Sequence, residues 1–318
     1  MSTKRDLRIV FMGTPDFAVA TLDRLVTEGY TIVGVITAPD RPSGRGQKLR
    51  QSAVKTYALS KGLKVLQPTN LKAESFIEEL QELNANLQIV VAFRMLPKVV
   101  WAMPEYGTFN LHASLLPDYR GAAPIHWAII NGETKTGVTT FFIDEKIDTG
   151  AIIMRASTSI GADETVGELH DRLMTLGSDV VIDTVKHIEY NTVETSIQPK
   201  IENLKTAHKL HRDSCKIDWD QPVDVVYNKI RGLNPFPAAW CYLVDGDDFE
   251  AIKIYAVKKQ PSTHQSSPGS MIITNDQIKV ACTDGYIIIL EMQLPGKRRM
   301  DVKSLLNGYE FSPEAKLR

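Results

Sequence analysis

Two polar side chains stand two residues apart in the short apolar segment 109–112. Because alternate residues of a β-strand point to the same side, Asn110 and His112 project together if this segment forms a strand. An asparagine amide donates hydrogen bonds, and a histidine ring gives or accepts a proton near neutral pH. The pair could therefore stabilise an oxyanion and move a proton on one substrate. The alternative is that both are hydrogen-bonded polar residues that cap a strand.

A carboxylate, Asp148, follows the next strand-like segment, 138–143, and belongs to the Asp-Thr-Gly sequence of residues 148–150. Ligands of open α/β sheets bind where the parallel strands end, so we expect Asp148 to approach His112 at one edge of a sheet. A carboxylate beside an imidazole stabilises the charged ring and fixes its orientation. An acidic turn exposed to solvent is the alternative interpretation.

No activated nucleophile accompanies these three side chains in the sequence. Ser114 lies two residues after His112, but the Gly-x-Ser-x-Gly sequence of a nucleophile elbow does not surround it. Asn, His and Asp without a nucleophile favour direct transfer to an amine or to water over a covalent acyl-enzyme. The seven histidines and the scattered acidic residues show no metal-ligand spacing, so we expect no metal.

A second candidate site lies in segment 38–50, which contains four cations, two prolines and two glycines. The cations are Arg41, Arg45, Lys48 and Arg50. Arginine and lysine recognise phosphate groups, so this composition indicates a nucleic-acid contact. A basic loop that is merely solvated is the alternative.

The first half of the chain alternates strand-like and helix-like segments. The predicted strands are 7–12, 31–37, 63–66, 87–93, 109–112 and 138–143. The predicted helices between and after them include 71–83, 122–131 and 163–190. This alternation is typical of a doubly wound α/β domain with a mostly parallel sheet.

The character of the sequence changes in the polar stretch 191–209, which we interpret as a linker. One predicted helix, 223–233, then precedes short strands separated by turn residues. These strands are predicted at 239–244, 251–257, 270–274, 278–282 and 286–293. Short, regularly spaced strands indicate a small β-barrel. The sequence therefore predicts a domain over 1–190, a linker over 191–209 and a second domain over 210–318.

Composition and charge exclude several classes of protein. Hydrophobic residues make up 43% of the 318 residues and charged residues 24%, which is typical of a globular chain. The net charge of −1 argues against a protein that coats DNA non-specifically, and requires any nucleic-acid contact to be a local patch. We expect no membrane span, because the apolar runs are far shorter than the ~20 residues needed.

The cysteines, the N-terminal residues and the apolar pattern bear on the compartment and the oligomeric state. The N-terminal residues lack a secretory signal, and the three dispersed cysteines show no disulfide framework. We therefore expect a cytoplasmic protein. With no exposed apolar stripe in the pattern, we expect a monomer.

Several motifs, in order along nearly the whole chain, resemble those of the methionyl-tRNA formyltransferase family. They are the segments 11–18, 39–46, 110–117, 119–125, 147–150 and 234–240. The Asn-x-His and Asp-Thr-Gly signals are shared with other folate-dependent formyltransferases. The arginine-rich loop and the second domain narrow the resemblance to this family.

The resemblance implies a Rossmann-like formyltransferase domain with a mostly parallel sheet, followed by a smaller OB-like β-barrel domain that contacts tRNA. It implies an enzyme that transfers the formyl group of 10-formyltetrahydrofolate, a co-substrate, to the free amino group of methionyl initiator tRNA for translation initiation. It implies no metal.

The resemblance also implies a role for each matching residue. Asn110, His112 and Asp148 correspond to the catalytic set. The stretch that contacts tetrahydrofolate corresponds to Ser114, Leu115, Leu116 and Pro117. The loop that reaches the acceptor end of the tRNA corresponds to the segment with Arg41, Arg45, Lys48 and Arg50. Two places depart from the family pattern. The stretch 92–97, which contains Arg94, is one residue shorter than in many members and lacks their glycine, and Lys146 stands where a glycine often sits.

Two rival functions use the same residues differently. A folate-dependent formyltransferase, or a formyl-folate hydrolase, that acts on a small molecule would use Asn110, His112 and Asp148 without needing a basic loop. A non-catalytic RNA-binding module would use the basic loop and the barrel. The complete Asn-His-Asp set argues against the binding module.

Overall fold

The computed structural model describes residues 4–43, 48–246 and 248–318. The chain divides into two compact units. Unit one comprises Met1–Gly121, Thr136–Thr158 and His170–Thr206. Unit two comprises Ala122–Lys135, Ser159–Leu169 and Ala207–Arg318.

The secondary-structure elements are numbered in chain order. The strands are β1 (Arg8–Gly13), β2 (Thr31–Ile36), β3 (Arg41–Ser43), β4 (Lys48–Arg50), β5 (Val65–Leu66), β6 (Leu87–Val91), β7 (Thr108–His112), β8 (Arg120–Gly121), β9 (Lys135–Phe142), β10 (Ile152–Ser159), β11 (Thr206–Ala207), β12 (Ala239–Asp245), β13 (Asp248–Pro261), β14 (Met271–Ile273), β15 (Ile278–Ala281), β16 (Gly285–Gln293), β17 (Met300–Asp301) and β18 (Lys316–Leu317). The helices are α1 (Asp16–Thr27), α2 (Ala53–Ser60), α3 (Glu74–Glu82), α4 (Lys98–Trp101), α5 (Pro124–Ile130), α6 (Val166–Glu189), α7 (Val223–Arg231) and α8 (Val302–Leu306).

Unit one is built on a sheet whose strands follow the order β10-β9-β7-β6-β1-β2-β5. Strands β5, β2, β1, β6 and β7 pair in parallel, whereas β9 is antiparallel to β7. The prediction of a mostly parallel α/β sheet is therefore confirmed.

Side chains of alternate strand residues cover the two faces of this sheet. On one face Val10 and Val90 pack with Phe76 of α3 in a buried cluster. On the other face Leu111 contacts α6 at Gly177, where an added Cβ would lie 2.8 Å from a leucine methyl carbon. Helices therefore shield both faces, as an α/β sheet with continuous apolar strands requires.

Helix α6 begins at a capping box. The Thr165 hydroxyl accepts a hydrogen bond from the Glu168 backbone N–H at 3.3 Å, and the Glu168 carboxylate accepts one from the Thr165 N–H at 2.8 Å. These two bonds satisfy backbone donors that the first turn of a helix leaves unpaired. The predicted helix at 163–190 is thereby found as Val166–Glu189.

The direction of β9 corrects the expectation about how Asp148 reaches His112. The register pairs Phe109 with Phe142 and His112 with Thr139, so β9 ends beside the start of β7. Asp148 therefore does not follow a parallel strand end on the same edge as His112. Its approach depends on the path of the loop between β9 and β10.

The sequence does not predict the elements α2 and β10, and it predicts a loop over segment 38–50. Helix α2 is short and begins at Ser52, whose hydroxyl accepts from the Lys55 backbone N–H. Strand β10 lies at the edge of the sheet, and its alternate residues are exposed, so its sequence is largely polar. Strands β3 and β4 form an antiparallel hairpin within segment 38–50.

Unit two contains an antiparallel sheet with the order β14-β15-β16-β13-β12-β18, and β17 adds to β16. A bridge between Ser270 and Lys316 brings the β14 end beside β18, so the sheet is a nearly closed barrel. The barrel predicted for the second half of the chain is confirmed. Burial raises the pKa of the Cys241 thiol to about 12, so this cysteine is a neutral core residue. No helix in the described ranges combines the length and the apolar character needed to cross a bilayer.

Candidate active site

Strand β7 places Asn110 and His112 on the same side of the sheet. Asn110 pairs with Val90 of the neighbouring parallel strand and is half-buried, while His112 at the end of the strand is buried. Over the described residues, no hydrogen bond satisfies the side-chain amide of Asn110. This amide is a donor that remains available to a ligand.

The ring of His112 is oriented by a backbone carbonyl. Its Nε2 atom lies 2.8 Å from the carbonyl oxygen of Tyr119, which can only accept, so Nε2 carries a proton. The other ring nitrogen, Nδ1, faces the carboxylate of Asp148 at 3.8 Å from Oδ2. Nδ1 is therefore the nitrogen that gains or loses a proton.

The carboxylate of Asp148 is held by a backbone donor. The N–H of Gly121 donates to Oδ2 at 2.9 Å. Asp148 has a φ of 54° and Tyr119 a φ of 60°, a left-handed conformation that non-glycine residues adopt at some energetic cost. Both residues that face the ring of His112 thus have this unusual backbone, as is common at functional sites.

The loop between β9 and β10 is ordered by one of its own carboxylates. Asp144 accepts hydrogen bonds from the Lys146 backbone N–H at 3.0 Å and from the Thr149 hydroxyl at 2.7 Å. An added Cβ on Gly150 would lie 1.6 Å from the carbonyl oxygen of Phe142, so only glycine fits there. Lys146, which stands where a glycine often sits in the family, points its side chain to solvent, so the loop does not need a glycine at this position.

The stretch assigned to folate is largely buried. The Ser114 hydroxyl donates to the carbonyl oxygen of Asp118 at 2.7 Å, and Leu116 belongs to a small apolar cluster. Pro117 is also buried, whereas Leu115 is half-buried. Leu115 is thus the least buried side chain of the four. The folate contact of these four residues stays a prediction.

The basic segment presents arginines on its hairpin. Arg41 of β3 lies directly opposite Arg50 of β4, and both are exposed. In the described part of the chain, neither forms an ion pair. Like charges placed opposite each other destabilise a hairpin, so this pair favours an anionic ligand. Lys48 opens β4, and Arg45 lies outside the described residues.

The base of this hairpin is fixed to α2 by a half-buried ion pair. The Lys55 ammonium lies 2.6 Å from the Asp40 carboxylate, and both side chains are mostly buried. Gln67 donates to Asp40 at 2.8 Å and to the carbonyl oxygen of Ala38 at 2.7 Å. The Lys55 and Gln67 hydrogen bonds hold the pKa of the Asp40 carboxyl below its ordinary value.

Arg94, which departs from the family pattern, lies near the basic hairpin. Its guanidinium donates to the carbonyl oxygens of Thr69, at 2.9 Å, and of Pro68. Burial, and then the like charge of Arg41, lower the pKa of Arg94. Arg94 therefore adds a third arginine to the surroundings of Arg41 and Arg50.

Three residues that contact the site were not identified from the sequence. Tyr119 and Gly121 lie in a motif that the resemblance covers, but their contacts use backbone atoms, which carry no side-chain signal. Gln198 lies in the polar stretch 191–209, which was read as a linker. No property of a single sequence distinguishes a buried glutamine there from a solvated one.

The chain matches two protein-family descriptions. Residues 7–185 match "Formyl transferase", and residues 209–310 match "Formyl transferase, C-terminal domain". The methionyl-tRNA formyltransferase of Flavobacterium johnsoniae is 61% identical over 311 residues, which cover 98% of this chain and 99% of the relative. The methionyl-tRNA formyltransferase of Bacteroides fragilis is 50% identical over 320 residues, which cover 99% of each chain.

A solved structure with a similar fold is that of WlaRD, a sugar 3N-formyl transferase in the presence of dTDP and 5-N-formyl-THF. The TM-score is 0.65 at 20% identity, with 92% of this chain and 100% of that chain covered. At this identity the likeness concerns the fold.

Proposed function

The chain belongs to the methionyl-tRNA formyltransferase family, and on that premise we propose that Asn110, His112 and Asp148 carry out its reaction. The enzyme transfers the formyl group of 10-formyltetrahydrofolate, its co-substrate, to the free amino group of methionyl initiator tRNA. This formylation serves translation initiation. The single observation that supports the catalytic assignment is the approach of His112 to Asp148 beside Asn110.

The first step is attack of the neutral amine on the formyl carbon, which forms a tetrahedral oxyanion. The amide of Asn110, which no described residue satisfies, donates a hydrogen bond to that oxygen. The Nδ1–H of protonated His112 is the second donor. Loss of one such donor typically costs ~2.7–4 kcal/mol of transition-state stabilisation, or about 10²–10³ in rate.

The second step returns the formyl group to a planar amide and releases the folate. The proton that leaves the amine ends on the folate nitrogen that carried the formyl group. Asp148 stabilises the charged ring of His112 and accepts the amine proton, directly or through one water. The N–H of Gly121 keeps the carboxylate beside the ring during this transfer.

Recognition of the tRNA is assigned to the basic hairpin. Arg41, Lys48 and Arg50 are cations of β3 and β4, and Arg45 belongs to the same segment. Arginine and lysine on a hairpin contact phosphates and so contribute affinity that falls with salt concentration. The folate contact is assigned to residues 114–117, of which Leu115 is the half-buried member.

The proposed division of the chain places catalysis in residues 1–190 and a further tRNA contact in 210–318, joined by 191–209. We also propose that the enzyme acts as a monomer in the cytoplasm. The three cysteines support a reducing compartment, because all are free and buried. Sedimentation at increasing protein concentration tests the monomer, and a stable dimer would contradict it.

One assay separates the proposed function from its two rivals. Purified protein is incubated with 10-formyltetrahydrofolate and charged initiator tRNA, and the products are separated. Formyl-methionyl-tRNA is expected. Formate or a formylated small metabolite would instead support the small-molecule enzyme, and a protein–tRNA complex without product would support the binding module.

A further inference from the structure

We propose that Gln198 is a positioning residue for the formyl transfer, which it serves by holding the backbone carbonyl groups of Asp148 and Gly150. This inference rests on the proposed function. Gln198 lies in the stretch read as a linker, yet its side chain belongs to unit one and is only 7% exposed. Its neighbour Ile197 is 91% exposed. The chain thus turns one polar side chain inward at this point.

The amide nitrogen of Gln198 donates two hydrogen bonds to the loop between β9 and β10, which carries Asp148. Its Nε2 donates to the carbonyl oxygen of Asp148 at 2.9 Å and to that of Gly150 at 2.9 Å. An amide has two N–H donors, so both are used on this loop. The two bonds fix the carbonyls that precede and follow Thr149, without touching the carboxylate of Asp148.

The amide oxygen of Gln198 is fixed by a charged donor. Arg120 donates to Oε1 from Nε at 3.2 Å and from a terminal guanidinium nitrogen at 2.6 Å. A cation at the oxygen leaves only the NH2 end to face the loop, so the orientation of the amide is set. Hydrogen bonds from a charged donor are roughly twice as strong as neutral ones.

Arg120 connects this contact to the histidine. The residue before it, Tyr119, accepts the Nε2–H of His112, and the residue after it, Gly121, donates to Asp148. The guanidinium of Arg120 and the amide of Gln198 therefore join the segment that orients His112 to the loop that carries Asp148. The 3.8 Å between Nδ1 and Oδ2 is set by two separate stretches that meet through this pair.

The backbone of Asp148 explains why the loop needs such support. Its left-handed conformation is unfavourable for a non-glycine residue and persists only where surrounding contacts determine it. Ser196 fixes the approach of Gln198, because its backbone exchanges hydrogen bonds of 2.8 Å and 2.9 Å with Ile152 at the start of β10. The backbone two residues before Gln198 is thereby fixed to the edge strand β10, next to the loop that Gln198 contacts.

The first test replaces the amide by an apolar side chain of similar size. In Gln198→Leu we expect kcat to fall about tenfold to a hundredfold, because a displaced catalytic group costs up to ~10² in rate. The KM values for 10-formyltetrahydrofolate and for charged tRNA should change less than about twofold, since the amide of Gln198 is engaged by Arg120 and by the carbonyls of Asp148 and Gly150. The matched control, Ile197→Ala, should keep the wild-type kcat.

A double-mutant cycle shows whether Gln198 acts through Asp148. In an Asp148→Asn background, measured in single turnover with excess enzyme, Gln198→Leu should cost less than about twofold, because coupled residues are not additive. Equal losses in both backgrounds would overturn the proposal and leave Gln198 as general structural support. Wild-type kcat in Gln198→Leu would overturn it as well.

A second variant covers the case in which Gln198→Leu does not fold. Arg120→Met leaves the amide in place but removes the charge that orients it, and we expect a smaller loss of kcat that also disappears in the Asp148→Asn background. An undiminished loss there would count against the proposal. These outcomes are distinct from failure of the proposed function, in which the wild-type protein itself forms no formyl-methionyl-tRNA.

Discussion

The Nε2 atom of His112 donates a hydrogen bond to the carbonyl oxygen of Tyr119, and this bond determines which ring nitrogen is left to exchange a proton. Because a carbonyl cannot donate, the proton on Nε2 stays in both charge states of the ring. Nδ1, which faces Asp148, is left to exchange the proton. A main-chain carbonyl oxygen thus selects the tautomer of the neutral His112 ring that carries its proton on Nε2.

Removal of the free amide donor is the most direct test of the catalytic assignment. We expect Asn110→Ala to lower kcat at least tenfold and by up to about 10³, because the oxyanion loses one hydrogen bond. Asn307→Ala, which removes an exposed asparagine of unit two, is the matched control and should keep wild-type turnover. Steady-state kinetics with charged tRNA and a thermal melt make the comparison, and normal turnover in a folded Asn110→Ala protein would remove this residue from the mechanism.

The carboxylate of Asp148 is tested by a substitution that preserves its backbone. Asparagine tolerates the left-handed conformation, so Asp148→Asn should fold normally while kcat falls at least tenfold through loss of the charge beside His112. Asp148→Ala should lose as much activity and also stability. If Asp148→Asn turned over at the wild-type rate, the role of the carboxylate would be disproved.

The basic hairpin is tested by the salt dependence of tRNA use. We expect a higher KM for charged tRNA in each of the variants Arg41→Ala, Arg50→Ala and Arg45→Ala. The slope of log(kcat/KM) against log salt should become shallower by about one unit in each, which corresponds to the loss of one phosphate contact. Folate binding should not change. Lys186→Ala, a substitution of an exposed lysine on α6, is the matched control. Parallel loss of folate binding in the arginine variants would instead indicate a structural role for the hairpin.

The close approach of Gly150 to β9 predicts a strong effect of a single methyl group. In Gly150→Ala the Cβ would overlap the carbonyl oxygen of Phe142, so the loop must shift. We expect a loss of ~1–3 kcal/mol or more in stability, as for other overpacked sites, together with reduced kcat. Chemical denaturation measures the free energy of unfolding of each variant. The control is Gly308→Ala, where an added Cβ meets nothing within 4 Å, and it should keep the wild-type stability.

The ion pair at the base of the hairpin predicts a dependence of stability on pH. A carboxyl whose pKa is lower in the folded than in the unfolded protein stabilises the fold above its unfolded value, about 3.9, and loses this contribution as pH falls through the folded value. The pKa of Asp40 is lowered in this way by Lys55 and Gln67. We therefore expect the Tm of the wild type to exceed that of Asp40→Asn near neutral pH.

The control for this pH effect removes the partner. The Tm difference should shrink as the pH falls from about 4 through the lowered pKa of Asp40, because the carboxyl of the folded wild type then also becomes neutral. In a Lys55→Met background the same substitution should have a smaller effect near neutral pH, since only the hydrogen bond from Gln67 then lowers the pKa of Asp40. A constant Tm difference across the range would contradict the assignment of the ion pair as its source.

The predictable part of the fold is the part with local periodicity. Strands β1 and β6 are mostly apolar segments, and α6 begins at a capping box, so the sequence indicates these elements. Strand β10 is polar at alternate positions and was not recognised. The antiparallel direction of β9 depends on which strand edge remains free when the sheet forms, and no local pattern carries that information.

The predictable part of the site is likewise limited to local spacing. Asn110 and His112 share one face because they are two residues apart on a strand. Asp148 was placed near His112 from an incorrect premise, and the ordered loop accounts for the contact instead. Gln198 was missed because its contact with Asp148 joins residues 50 positions apart, which only the folded chain brings together.

The inward turn of Gln198 has a consequence for where this protein can be cut or recombined. A catalytic fragment that ended at residue 190 would keep every residue of the Asn-His-Asp set yet leave the carbonyls of Asp148 and Gly150 unsatisfied. Chimaeras that exchange barrels between relatives therefore need their junction after Thr206, so that Gln198 stays with the loop that it supports.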